Sequence, residues 1–193
     1  MKTVKDVKEL LTYLSSMPEN FIVLINVGAE DYVGTNVAIL KALADDNNKL
    51  PGVYITVNKP YTAMERLLEK EGVDTKRIYF IDCVTKMSGG GTGGGKNVFF
   101  LDTPQNLPGL GVAMSEAITV MGEGDKFLLM DSLSTLLIYH SVGTVAKFSH
   151  FLTARMRTWG LKGILMAVEK DADPEFTNQL SQFCDGVVKI DKK

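Results

Sequence analysis

Two cysteines, two histidines and a single tryptophan are spread over 193 residues, and this scarcity narrows the chemistry open to the chain. Cys83 and Cys184 show no CxxC spacing and no companion histidine motif. That excludes a thiol–histidine zinc cluster. By composition both read as buried thiols of a reducing cytoplasm. His140 and His150 have no nucleophile elbow of the Gly-x-Ser-x-Gly type to serve, so both read as surface or helix-end histidines. The N-terminal stretch MKTVKDVKELLTYLSS is interrupted by charge every few residues and lacks an apolar leader core. No run approaches the ~18 apolar residues of a spanning helix. A net charge of −2 supplies no broad cationic surface for nucleic acid or acidic membranes. These absences predict a cytoplasmic chain without membrane insertion or a nucleic-acid partner.

What is present is a core. Hydrophobic residues make up 45% and charged residues 23% of the chain, ordinary values for one globular domain, predicted here over residues 1–193. Six short, nearly continuous apolar runs predict strands buried on both faces: Phe21–Val27, Val53–Val57, Arg77–Ile81, Phe127–Met130, Gly163–Val168 and Gly186–Ile190. Helical periodicity fills the gaps. The predicted helices are Val4–Leu14 (within an N-terminal helical segment 1–16), Val37–Leu43, Tyr61–Glu71, Val112–Met121, Val145–Trp159 and Pro174–Phe183, the last capped by Asp173. Alternating strands and helices predict an α/β fold with a mostly parallel sheet flanked by helices. Residues 85–111 break the rhythm. Their SGGGTGGGK run predicts a flexible surface insertion, and NVFFLD a short edge strand.

The first strand feeds Gly28-Ala29-Glu30-Asp31-Tyr32-Val33-Gly34-Thr35-Asn36 and then a helix. This is the context of a phosphate-binding loop of the form G-x-x-x-x-G-K-[ST]. Gly34 fits the second glycine, and Gly28 stands one place before the first. Thr35 replaces the lysine that reaches the outer phosphates, and Asn36 replaces the hydroxyl that binds magnesium. Glu30 and Asp31 add negative charge where phosphates would lie. The bulky Tyr32 and Val33 either fill the phosphate position or form a contact surface. A better literal match, Gly90 to Asn97 with Lys96, precedes a strand rather than a helix and reads as a glycine-rich loop.

The strand Phe127–Met130 ends in Asp131-Ser132-Leu133-Ser134. This resembles the Walker B segment of RecA-like ATPases, and its ending looks like the KaiC and archaeal RadA-like branch. The pieces GVYITVNKPYTAMERLLEKEG, RIYFIDC and FCDGVVKID resemble further segments of that family, in the family's order, over most of residues 20–191. The resemblance implies a RecA-like P-loop fold and side-by-side assembly. It also implies a nucleotide site on Gly28, Gly34, Thr35, Asn36, Asn58 and Asp131, with Asp131 as the one metal-binding candidate. The glutamates that activate water in the family align with Asn58 and Lys59, neither of which is a base at neutral pH. Asp131 either holds an ion or caps its loop. The phosphate cation, the magnesium ligand and the base are all missing, so no catalytic residue and no cofactor are expected, with ATP and magnesium the alternative. The expected role is a non-catalytic scaffold or regulator, homo-oligomeric or paired with an active relative. The alternative is a nucleotide- or small-ligand-binding protein, with weak ATPase activity as a variant, using the strand ends. Arg155 and Arg157 belong either to a subunit contact or to a solvated face.

Overall fold

The structure is a computed structural model that describes residues 1–44, 50–93, 95–168 and 174–191. The predicted Asp173 cap and Gly94 of the glycine run lie outside the described residues. Eight parallel strands form one sheet: β1 (Lys2–Val4), β2 (Ile22–Val27), β3 (Gly52–Thr56), β4 (Ile78–Asp82), β5 (Val98–Phe100), β6 (Phe127–Asp131), β7 (Lys162–Val168) and β8 (Gly186–Ile190). Their spatial order is β1-β8-β2-β7-β6-β3-β4-β5. Helices α1 (Val7–Ser15), α2 (Tyr32–Ala44), α3 (Tyr61–Lys70), α4 (Leu107–Val120), α5 (Leu133–Leu136), α6 (Val142–Thr158) and α7 (Pro174–Ser181) connect them.

The apolar runs become strands because both faces of the sheet are covered. Every residue of β2, β3 and β6 is buried. Val23, Ile25, Tyr54 and Leu129 point into a core roofed by α1–α3. Ile22, Leu24, Ile55 and Leu128 point into a second core roofed by α4–α7. The predicted α/β class is therefore observed. Gly52 has no side chain because the Phe127 ring of the neighbouring strand fills that place.

The N-terminus departs from the prediction. Val4 belongs to a strand, not a helix, and pairs with Ile190. Asp6 accepts from the Glu9 N–H at 2.8 Å and starts α1 only at Val7. The NVFFLD piece forms the edge strand β5, as predicted. Helices α2, α4 and α6 begin several residues earlier than their apolar periodicity suggests. For α4 and α6 the reason is an N-cap: Asn106 accepts from Gly109 N–H at 2.9 Å, and Ser141 from Thr144 N–H at 3.3 Å. No described helix is long and apolar enough to cross a membrane.

Candidate functional site

The strands' carboxyl ends share one edge of the sheet, where an open α/β fold places its ligands. After β2 the connection is short. Only Gly28–Asp31 separate the strand from α2, and the Asp31 N–H donates to Gly28 O at 3.1 Å to close a single turn. The helix is already running at Tyr32, and the Thr35 N–H donates to Asp31 O at 2.9 Å. Gly34, Thr35 and Asn36 are therefore helical residues rather than loop residues. Thr35 and Asn36 are buried, and Thr35 Oγ1 and Asn36 Oδ1 have no hydrogen-bond partner among the described residues.

Gly34 occupies ordinary helical backbone, and a Cβ there would meet no atom within 4 Å. A glycine that cradled phosphate would not tolerate the added carbon. Gly34→Ala is expected to raise stability by about 0.5–1 kcal/mol, the usual gain for glycine replaced in a helix interior. Thermal unfolding should then shift upward by about 2 °C. A lowered midpoint would show that Gly34 is needed for a loop conformation.

Asn58 and Asp131 do come together. Asn58 Nδ2 donates to Asp131 Oδ1 at 3.1 Å and to the Tyr32 hydroxyl at 2.9 Å. The Tyr54 hydroxyl donates to the other carboxylate oxygen of Asp131. Asn58 Oδ1 accepts from Thr135 Oγ1 at 2.6 Å. Asp131 lies inside this shell, and burial pushes its carboxyl up to about 8. It is consequently mostly a neutral acid at pH 7, and the side chains that bond it, Tyr54 and Asn58, are neutral as well.

The Asp131–Ser132 peptide is cis, and Ser132 rather than Asp131 caps α5. Ser132 Oγ accepts from the Thr135 N–H at 3.3 Å and contacts Thr135 Oγ1 at 2.9 Å and Ser134 Oγ at 3.1 Å. Ser134 Oγ in turn accepts from the Val168 N–H at 3.0 Å. Short α5 thereby ties the ends of β3, β6 and β7 together through side chains. What opens to the surface here is a hollow of about 260 Å³ lined by Ala29, Tyr32, Val33, Asn58, Lys59 and Thr135, with Val168 at its edge. Asp131, Thr35 and Asn36 do not line it.

Tyr54 and Thr135 are site residues that periodicity does not reveal. The available signal for Tyr54 is its hydroxyl: a tyrosine in a wholly buried aliphatic strand needs a polar partner. Asp82 is a second such residue. It ends β4, is fully buried, and accepts from the N–H groups of Tyr61, Val84 and Thr85 at 2.7–2.8 Å and from Thr85 Oγ1 at 2.5 Å. Its signal is the Asp82-Cys83-Val84-Thr85 spacing of an Asx-type turn. Cys83 is buried and its thiol is pushed up to about 12, chiefly by burial and then by Asp82; Cys184 is half-buried.

The remaining candidates lie apart from this network. His140 Nε2 contacts Pro104 O at 3.2 Å, and the His150 ring packs against Phe183. Arg157 pairs with Asp185 at 3.0 Å, while Arg155 is exposed beside the Trp159 and Phe151 rings. Lys96 is followed by β5, so no helix N-terminus stands behind the Gly90–Asn97 loop. Among the described residues no group of three or more His, Cys, Asp or Glu is placed to hold a metal ion.

The fold has relatives among solved structures. A KaiC-like protein from the archaeon Pyrococcus horikoshii superposes with a TM-score of 0.61 at 17% identity, over 89% of this chain and 72% of that one. An uncharacterized protein from the same organism, solved in complex with an unknown peptide, gives 0.66 at 14% identity, over 94% and 82%. A third Pyrococcus horikoshii protein gives 0.62 at 13% identity, over 93% and 86%. At these identities the likeness is one of fold, which is RecA-like α/β. No curated protein matches the sequence. A family model covers residues 24–190, and by that match the chain belongs to the family of unknown function DUF7504.

Proposed function

We propose that this chain is a non-catalytic protein on a RecA/KaiC-like fold, acting as a scaffold or regulatory partner through oligomerisation with itself or with an active relative. One observation carries the reading: Asp131, at the strand ends where a nucleotide's metal would lie, is closed off by the chain's own side chains. Tyr54 and Asn58 hydrogen-bond Asp131, and Tyr32 and Thr135 hold Asn58 in place. The donor set also fails to suit ATP with magnesium. Thr35 offers no positive charge, Asn36 no hydroxyl, and both are sealed inside α2 packing. Both carboxyl oxygens of Asp131 are already engaged by Tyr54 and Asn58, which leaves no open ligand position for a divalent cation.

Calorimetry with ATP and magnesium tests this directly. No heat of binding is expected. A micromolar dissociation constant would overturn the proposal. The alternative, a small-ligand site at the strand ends, draws on the hollow beside Lys59. Its volume of about 260 Å³ lies below the range of about 300–1,000 Å³ typical of ligand pockets, which favours the scaffold reading.

A further inference from the structure

A large hollow lies on the opposite side of the sheet from α1–α3. Helices α4 and α6 both cover the second core, and a groove of about 600 Å³ runs between them on the outer surface. Apolar residues line it, among them Leu107, Pro108 and the buried Phe148. Val112 rises from one wall at 59% exposure and Phe151 from the other at 42%. On α4, Val112, Glu116 and the exposed Val120 succeed one another at four-residue spacing and form a single outer stripe. Large apolar side chains left in water along a cleft mark a surface that another molecule covers.

The charges say what kind of molecule. Both signs stand in the groove: Glu116 on the α4 wall, Lys147 and Arg155 on the α6 wall. A foreign partner of one dominant sign would meet repulsion from one wall. A second copy docked about a two-fold axis with its α6 over this α4, by contrast, repeats every contact in reverse. Glu116 then faces the basic pair of the second copy, and the second copy's acid faces the first copy's basic pair. With a net charge of only −2, two copies repel each other weakly.

We infer that the α4–α6 groove is the self-association surface of this chain, closed by a second copy in a two-fold arrangement with Val112 and Phe151 at its centre. This rests on the oligomeric reading under Proposed function and names its face. Arg155, held between the Phe151 and Trp159 rings, is then a preordered interface residue, of a type enriched where binding energy concentrates.

Light scattering of the full chain over a concentration series, coupled to size exclusion, is the test. Wild type is expected at twice the 21.2 kDa chain mass at micromolar concentration. Val112→Glu places an unpaired carboxylate in the apolar centre and is expected to return the mass of a single chain, a loss of at least about tenfold in affinity. Ile138→Glu alters an equally apolar residue outside the groove, 76% exposed, and is expected to leave the mass unchanged. Both positions are on the surface, so folding is retained, and circular dichroism checks it. A wild type that stays single at millimolar concentration overturns the inference. So does an oligomer that survives both Val112→Glu and Phe151→Glu, although oligomerisation itself then stands. Heat on titrating ATP would defeat the non-catalytic reading without touching this face.

Discussion

Asp82→Ala is expected to lower the stability of the chain by about 5 kcal/mol, measured by urea denaturation. Asp82 is the hub of one corner of the sheet. Its carboxylate accepts the N–H of Tyr61 at the start of α3 and the N–H groups of Val84 and Thr85 in the turn after β4. Alanine would leave these N–H groups, and the Thr85 hydroxyl, without their acceptor in a largely buried corner. Each such orphan costs about 1–3 kcal/mol. The helix end adds to the effect, because a negative charge at an N-terminus is favoured by the aligned peptide dipoles. Asp82→Asn keeps the shape but turns an NH₂ group toward donors, so it should recover only part of the loss. A fall of less than about 1 kcal/mol for the alanine variant would mean that the hub is redundant.

The second large effect is a reversal with pH at Asp131. Its carboxyl is raised from 3.8 to about 8 by burial. Below about pH 4 both the folded and the unfolded chain carry the proton, and the neutral acid contributes its full stability. Between about pH 4 and pH 8 the unfolded chain releases the proton while the folded chain keeps it. Stability contributed by this group therefore falls as pH rises, by about 1.4 kcal/mol per pH unit in mid-window, and levels off above the folded value. Asp131→Asn is close in shape to the neutral acid and does not titrate. The difference in unfolding free energy between Asp131→Asn and wild type is expected to climb across this window, with the variant the more stable at about pH 8. A difference that stays flat across the whole window would mean that Asp131 is ionised in the folded protein. Asp131→Ala is a different experiment, since it strands the Tyr54 hydroxyl and Asn58 and destabilises at every pH.

The fold is readable in the apolar runs because the main strands are buried on two faces or nearly so, and such strands announce themselves as unbroken β-branched and aromatic stretches. β1 is not readable. Three residues with one buried position, Val4, cannot be told from the first turn of an amphipathic helix when Val7, Leu10, Leu11 and Leu14 come next at helical spacing. The candidate site is half legible. Asp131 and Asn58 stand at strand ends, and strand ends are countable. The burial of Thr35 and Asn36 is not countable, because it arises from α2 beginning at Tyr32, whereas the spacing of a phosphate loop keeps those residues in the turn before the helix. The hydrogen bonds of Tyr54 and Thr135 depend on which strands are neighbours, and β3 lies beside β6 only after the whole sheet is assembled.

The position of β8 between β1 and β2 has a consequence for the chain during its synthesis. β2 is made well before its two sheet partners, β7 and β8, which follow it far downstream. At synthesis rates of about 5–20 residues per second, β2 spends roughly 7–27 seconds with both edges open before β7 is made. During that interval the run Ile22–Val27 is an unpaired apolar strand, the kind of segment that nascent-chain chaperones hold. β3, β4 and β5, whose pairings are local, are free to assemble meanwhile. The sheet is thus built from one edge inward, and its first two strands are among the last to be seated.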